Sequence, residues 1–404
     1  MSLAVLLALS ACTGKDSAGD SDTADSRPID TGPDVIDDTA DTNDTSDTGE
    51  DTSATEAAYE AFYAVDTLQT ITLRLDANAI AGLQADPDTY VTAGFEHDGT
   101  ILSAVGVKLR GSETWDQKPG FSIKLQEFDG PEYLGLERMV LDNQWDDAAQ
   151  IRAVLAYEAV RNAGLVAPHA NFAEVYVNDE YLGLYANIEV IDEKFAGRAF
   201  PDANGDLYEG GDGADFYEQG VTFFNLVDGD GDENLLRLAW EAVQPPYEVD
   251  YYADVQTAID MDQYQRYVAW QMMVGAAAGY PYEQNDYYIQ VNPTSHQVSF
   301  VPWALDKSWD AGWTADPNRG FISVYCEIDD GCSGTQSAAI AAALDRVTGM
   351  GLSSRAGALY TLTDDAMNRD ERKQLPSAQV DSARTSFLAT LDGWPDRVRT
   401  AVGL

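Results

Sequence analysis

The sequence predicts an α+β fold, with an antiparallel, strand-rich N-terminal half and a mainly helical C-terminal half. Three observations carry this. Four alternating apolar segments crowd into residues 57–125, residues 262–278 are apolar all round and read as a buried helix, and further helical periodicities fill the chain after residue 338. At 404 residues the chain has length for one large domain or two. Its formal net charge of −45 argues against nonspecific nucleic-acid binding, since a polyanion would be repelled, and fits a secreted, calcium-rich or saline setting.

Residues 1–12 form a short apolar run ending in Leu9-Ser10-Ala11-Cys12, which resembles a bacterial lipoprotein signal with its lipobox cysteine. It is too short to span a bilayer. On this reading Cys12 carries a lipid; the alternatives are an ordinary signal peptide or a cytosolic tail. Residues 13–56 hold 14 acidic and 2 basic residues with almost no large apolar side chain, so they read as a disordered, charge-extended linker. Cys326 and Cys332 remain, bracketing five residues, and are expected to form a local disulfide in an oxidising compartment.

Strands are expected at residues 70–75, 90–95, 101–110 and 121–125, with a hairpin turn at Asp98-Gly99 and a short helix over 77–85. Residues 146–163 carry apolar positions at Ile151, Val154, Leu155, Ala159 and Val160, a helical spacing closed by Gly164. A second hairpin spans 173–191 and turns at Asn178-Asp179, with Glu189 at its end. Residues 196–234 read as Gly- and Asp-rich loops. A third hairpin covers 287–301, and helices are expected near 338–347, 355–368 and 377–391.

The pattern is centred on residues 106–125, two strands around a polar turn, with cations at Lys108, Arg110, Lys118 and Lys124. Alternation places Lys108 and Arg110 opposite Val107 and Leu109, so one sheet face gathers positive charge. That face is either an anion site or a solvated surface balancing nearby carboxylates. A lysine held by a glutamate, with an aspartate on a metal, is a minimal apparatus for orienting nucleotide phosphates, and Lys124, Glu189 and Asp306 supply those types.

Five ordered blocks sharpen this reading: Val107-Lys-Leu-Arg-Gly-Ser-Glu-Thr-Trp115 with Lys118-Pro-Gly-Phe-Ser-Ile-Lys-Leu125; Ile151-Arg152 with Tyr157-Glu158 and Gly164; Val175-Tyr-Val-Asn178 with Tyr181-Leu-Gly-Leu-Tyr185, Glu189 and Asp192; Asn285-Asp-Tyr-Tyr-Ile289; and Val301-Pro-Trp-Ala-Leu-Asp306. Over residues 68–313 this order resembles the spore coat protein H (CotH) kinase family. The resemblance implies an atypical protein-kinase-like fold over 57–404, with a β-rich lobe over about 57–200 and a helical lobe over about 201–404. It also implies an extracytoplasmic Ser/Thr kinase using ATP with Mg²⁺ or Mn²⁺ on secreted or surface proteins. Lys124 would orient phosphate with Glu189 as its ion-pair partner, Arg110 and Lys118 would line the same cleft, and Asp306 would hold metal with Asn285 nearby. Two departures stand out. The family's first metal-motif acid is Ala304 here, and its catalytic-loop aspartate is missing, which leaves Asp286 or Glu283 as the base.

Asp228-Gly-Asp230-Gly-Asp232 presents carboxylates at alternate positions as a calcium loop does, without the later glycine and glutamate, and Asp202 to Asp206 repeats the spacing. Each is a Ca²⁺ loop or a solvated loop. The competing functional reading is a non-catalytic surface module that keeps the fold. A carbohydrate-active enzyme rests only on abundant Asp, Glu and Trp, with no carboxylate pair at a defined spacing. A monomer, tied to a membrane only through Cys12, is expected.

Overall fold

The structure is a computed structural model and describes residues 49–111, 114–202, 204–231, 233–244, 251–314 and 319–404. The lipobox and residues 13–48 of the linker lie outside the described residues. Helix α1 (Gly49–Phe62) begins within the stretch that composition assigns to the linker. Its anchors lie late in the helix and just beyond it: Tyr59, Phe62 and Tyr63 are buried at helical spacing, and Asn171 Nδ2 donates to the Phe62 carbonyl at 2.7 Å.

Strand β1 (Leu68–Arg74), helix α2 (Ala77–Ala85), strands β2 (Val91–His97), β3 (Thr100–Arg110), β4 (Gly120–Lys124) and β5 (Arg138–Asp142), helix α3 (Arg152–Asn162), and strands β6 (Ala170–Val177) and β7 (Glu180–Glu189) follow. Asp98 and Gly99 both take positive φ, 44° and 76°, the conformation a tight two-residue hairpin requires. The strands close into a barrel in the order β1-β2-β3-β4-β5-β7-β6. Every neighbouring pair is antiparallel except β6 with β1, whose parallel pairing seals the cylinder, so the expected antiparallel sheet is corrected at one seam. Alternation sends Leu73, Phe95, Val107, Phe121, Ile123 and Leu141 inward, where all are fully buried.

Helix α3 starts later than its periodicity suggests. Asp147 is buried ahead of it, and its carboxylate accepts from the backbone N–H groups of Ile151 and Arg152 at 2.7 Å each, which fixes the helix start.

Helix α4 (Glu193–Ala199), strands β8 (Asp206–Gly210) and β9 (Phe224–Asp228), and helices α5 (Glu233–Ala242), α6 (Tyr251–Val255) and α7 (Met261–Val274) come next. The stretch expected as loops over 196–234 is therefore interrupted by the end of α4, by strands β8 and β9, and by the start of α5. Strands β8 and β9 are held by pairing with strand β10 (Tyr287–Val291), itself paired to β11 (Val298–Pro302), in a sheet ordered β11-β10-β8-β9. That support comes from distant residues, which local composition does not reveal. Beneath the sheet lies α7, buried nearly all round, with Tyr264, Tyr280, Tyr287 and Phe300 packed ring against ring.

Helices α8 (Phe321–Ile328), α9 (Asp330–Met350), α10 (Leu352–Arg369) and α11 (Ser377–Val402) complete the chain. Cys326 and Cys332 are bridged across the α8–α9 junction, as their spacing predicts.

Candidate functional site

The outer face of β3, β4 and β5 is written by register. Arg110 stands opposite Gly120, and Phe121 opposite Leu141, so Asp142 falls at the end of the same outward row. Gly120 separates the two charged side chains without filling the space between them. A Cβ there would lie 2.9 Å from the Arg110 carbonyl oxygen, so any larger residue would press on β3. The result is a cavity of about 300 Å³ lined by Arg110, Gly111, Gly120, Asp142, Asn143 and Asp306, among others.

Asp306 enters that cavity from a tight 3-10 turn, Leu305–Lys307, which follows Ala304 in the left-handed region at φ 50°. Burial pushes its carboxyl up to about 7, the neighbouring Asp142 adds to the rise, and Lys307 opposes it. Asp286 precedes β10 at φ 52°, and its carbonyl accepts from Trp303 N–H at 3.2 Å, which ties it to the segment carrying Asp306. Burial raises the Asp286 carboxyl as well, against the pull of Lys307 and Arg110. The Arg110 guanidinium sits 5.8 Å from the Trp303 ring centre. Arg110 and Asp306, named from sequence, therefore line one cavity together with Asp142, while Asp286 and Lys307 act on Asp306 electrostatically from beside it.

Among the described residues, no three His, Cys, Asp or Glu side chains converge closely enough to chelate a metal alone. Asp142 and Asp306 nevertheless suit a hard divalent cation such as Mg²⁺, which typically binds one or two carboxylates and fills its other positions with water and phosphate oxygens.

Other expected site residues lie elsewhere. Lys124 does not pair with Glu189; it pairs with Glu127 at 2.8 Å. Strand parity is the reason. Lys124 opposes Arg138, whereas Glu189 opposes the next residue, Met139, so lysine and glutamate occupy opposite faces of the barrel wall. Glu189 is buried at the barrel end, with Arg198 at 2.5 Å and His169 at 3.1 Å. Burial alone would raise its carboxyl, but hydrogen bonding to His169 and the Arg198 charge override this and hold it at about 2.

Lys118 does not line the cleft either. It is wholly buried against Asp370 at 2.7 Å and donates to the Leu184 carbonyl at 2.7 Å. Glu283 is exposed in a separate cavity beside Arg319. Asn285 is placed by its N–H bond to the Ala278 carbonyl at 3.1 Å, next to Asp286.

Asp228 and Asp230 sit at the end of β9 and the turn after it, while Asp232 lies outside the described residues. Here the two acidic loops touch: Asp206 Oδ1 accepts from Gly231 N–H at 3.1 Å, and Tyr208 donates to Oδ2 at 3.1 Å.

Asp142 and Lys307 were missed by sequence reasoning. The alternation of Met139, Val140, Leu141 and Asp142 held the signal for Asp142, but only with β5 recognised as a barrel strand does it face the cleft.

A family model described as CotH kinase protein matches residues 107–338. Spore coat protein homolog 1 of Rhizopus delemar is 25% identical over 194 residues, covering 44% of this chain and 31% of the relative. Inner spore coat protein H of Bacillus subtilis is 21% identical over 225 residues, covering 51% of this chain and 59% of the relative. The chain thus spans between about a third and three fifths of the length of these curated relatives. A solved HipA–HipB–operator DNA complex of the Shewanella oneidensis MR-1 toxin–antitoxin system aligns with 81% of this chain and 74% of its own, at a TM-score of 0.32 and 13% identity, a likeness too distant to carry weight. The family match runs from within β3 into α9 and includes Arg110, Asp142, Asp286 and Asp306. With more than half of its length matched, this chain belongs to the CotH kinase protein family.

Proposed function

We propose that the chain is a kinase-like phosphotransferase that binds ATP with Mg²⁺ or Mn²⁺ in the cavity between β3–β5 and the Asp306 turn, and phosphorylates a hydroxyl of a secreted or surface protein. The observation that carries this is the convergence of Arg110, Asp142 and Asp306, from three separate parts of the chain, on one polar cavity, with Asp286 near enough to act electrostatically on Asp306. A divalent cation would neutralise charge on the β- and γ-phosphates. The chain's own residues would do the rest. Arg110 contacts a phosphate oxygen, Asp142 and Asp306 hold the cation, and Asp286, its carboxyl raised, accepts the hydroxyl proton.

A second reading, nucleotide binding with little or no turnover, is favoured by Ala304, which stands where the family resemblance expects an acidic residue. The expected N- and C-lobe division is part of the proposal, with the barrel as the N-lobe.

The relatives' names place them in spore coats, which supports an extracytoplasmic or surface location, with Cys12 as the lipid anchor. No helix among the described residues is long and apolar enough to cross a membrane. Palmitate incorporation that disappears in Cys12→Ser would support the anchor; labelling that survives would sink it. For the activity, ATP binding followed by thermal shift with and without Mn²⁺, together with labelled phosphate transfer to itself or to casein, separates the readings. Metal-dependent binding that Asp306→Asn weakens at least ~10-fold is expected. No nucleotide binding under any divalent metal by the folded protein would overturn both readings, and binding without transfer would leave the second.

A further inference from the structure

The connection between β8 and β9 carries a buried carboxylate to which the proposed reaction gives no part. Asp215 is 3% exposed and gathers donors from three parts of the chain. Its Oδ1 accepts from the Tyr280 hydroxyl at 2.6 Å, from the Phe216 N–H at 2.7 Å and from the N–H of Phe321, the first residue of α8, at 3.0 Å. Its Oδ2 accepts from Gln284 Nε2 at 2.6 Å. All four donors are neutral, and a side chain with two acceptor oxygens and no N–H of its own serves them all. Burial pushes the Asp215 carboxyl up, and these hydrogen bonds, Tyr280 foremost, pull it back.

Gln284 stands two residues before Asp286, and residues 213–215 grip the chain on both sides of that aspartate. Gly213 N–H donates to the Gln284 carbonyl at 3.1 Å, and the Tyr287 hydroxyl donates to the Ala214 carbonyl at 2.7 Å. Between these grips the backbone is strained: Gln284 and Asp286 take positive φ, 55° and 52°, without being glycine. Such residues persist only where the surroundings over-determine them, and strain of this kind collects at functional sites. The Gln284 side chain is half-buried, and the Asp215 carboxylate is what fixes its amide.

We propose that Asp215 is a positioning residue for phosphoryl transfer, fixing Gln284 and through it the place from which Asp286 meets the acceptor hydroxyl. The inference rests on Asp286 being the proton acceptor. In that step the acceptor oxygen bonds to the γ-phosphorus as the bond to the β–γ bridging oxygen breaks, ADP leaves with that electron pair, and the hydroxyl proton passes to Asp286. Proton acceptance tolerates little displacement, because the hydroxyl must lie within about 2.6–3.2 Å of the carboxylate. The nucleotide cavity is lined by Arg110, Asp142 and Asp306, none of them hydrogen-bonded to Gln284, so a disturbance at Gln284 acts on the transfer rate rather than on affinity.

Labelled phosphate transfer by the full chain to itself or to casein, at saturating ATP and Mn²⁺ and beside equilibrium nucleotide titration, tests this role. Gln284→Glu sets two carboxylates against each other, and should lower the transfer rate ~10²-fold while nucleotide affinity stays within about 2-fold. Adding Asp215→Asn exchanges donor and acceptor across the same contact, so the double variant should regain at least about 10-fold of that loss. Gln284→Ala removes one half-buried amide and leaves Asp215 its other three donors, so it keeps the test valid should the charged variant misfold; a loss of about 10-fold or more is expected. An unchanged rate in folded Gln284→Ala, a fall in rate matched by an equal fall in affinity, or a folded double variant without recovery overturns this inference alone. A wild type that binds nucleotide and transfers nothing overturns it together with the role of Asp286 as base.

Discussion

Lys118 and Asp370, 252 residues apart, meet at 2.7 Å with neither side chain exposed to solvent. Asp370 caps the end of α10, and its second contacts are the backbone N–H groups of Leu184 at 3.1 Å and Arg372 at 2.9 Å. Gly183 makes this possible, since a Cβ at that residue would lie 2.3 Å from Asp370 Oδ2. The pair fixes the β3–β4 connection, and so the position of Gly120 in the cavity, against the C-terminal helices. Burial lowers the lysine pKa, and the aspartate opposes that shift. Removing one partner leaves the other charge buried, so Lys118→Met should cost about 3–5 kcal/mol in urea denaturation. Adding Asp370→Leu should recover only part of this, because the two backbone donors then lose their acceptor at about 1–3 kcal/mol each. A loss below about 1 kcal/mol for Lys118→Met would contradict a structural role.

Arg110 and Lys124 share the outward face, yet they stand four residues apart along β3's register, about 13 Å. Arg110 reaches the Asp306 cavity, whereas Lys124 is committed to Glu127 near the surface. Arg110→Ala should therefore weaken ATP binding about 10-fold or more, and Lys124→Ala by less than about 2-fold. Equilibrium nucleotide titration decides it. The reverse order of effects would restore Lys124 as the phosphate ligand.

The strand alternation of β3 and β4 made the outward cations legible, because a period of two fixes the face once a strand is recognised. Which outward cation meets Asp306 was not legible, since that depends on the register between strands and on barrel closure by β6 against β1. Lys118 and Lys124 looked equivalent in sequence. One is consumed by Asp370, a partner far along the chain, and the other by Glu127, three residues away. Likewise the expected Lys124–Glu189 pair failed on parity alone, a one-residue offset that hydropathy does not encode across unpaired segments. Asp306 and Asp286 were legible because each sits beside a strand end whose apolar run is strong.

Glu189 makes the acid sensitivity of the barrel end predictable. Its carboxyl is held at about 2 in the folded chain, below its ordinary value near 4.5. A depressed carboxylate stabilises the fold fully above the unfolded pKa and loses that contribution as pH falls through the folded one, so the window runs from about pH 5 down to about 2. The shift corresponds to about 3 kcal/mol. Asp192 and Asp306, raised to about 6 and 7, act with the opposite sign: their contribution is largest at low pH and is lost as pH rises through roughly 4 to 7. Reading Glu189 alone therefore requires comparing wild type with Glu189→Gln rather than following one protein. Glu189→Gln should be less stable near neutrality, having traded an ion-paired carboxylate for a neutral amide between His169 and Arg198. That deficit should shrink as pH falls towards 2, as the wild-type carboxylate takes up its proton. Urea denaturation of both proteins at pH 7, 5 and 3 measures it, and a difference independent of pH would show that Glu189 is not held ionised by Arg198 and His169.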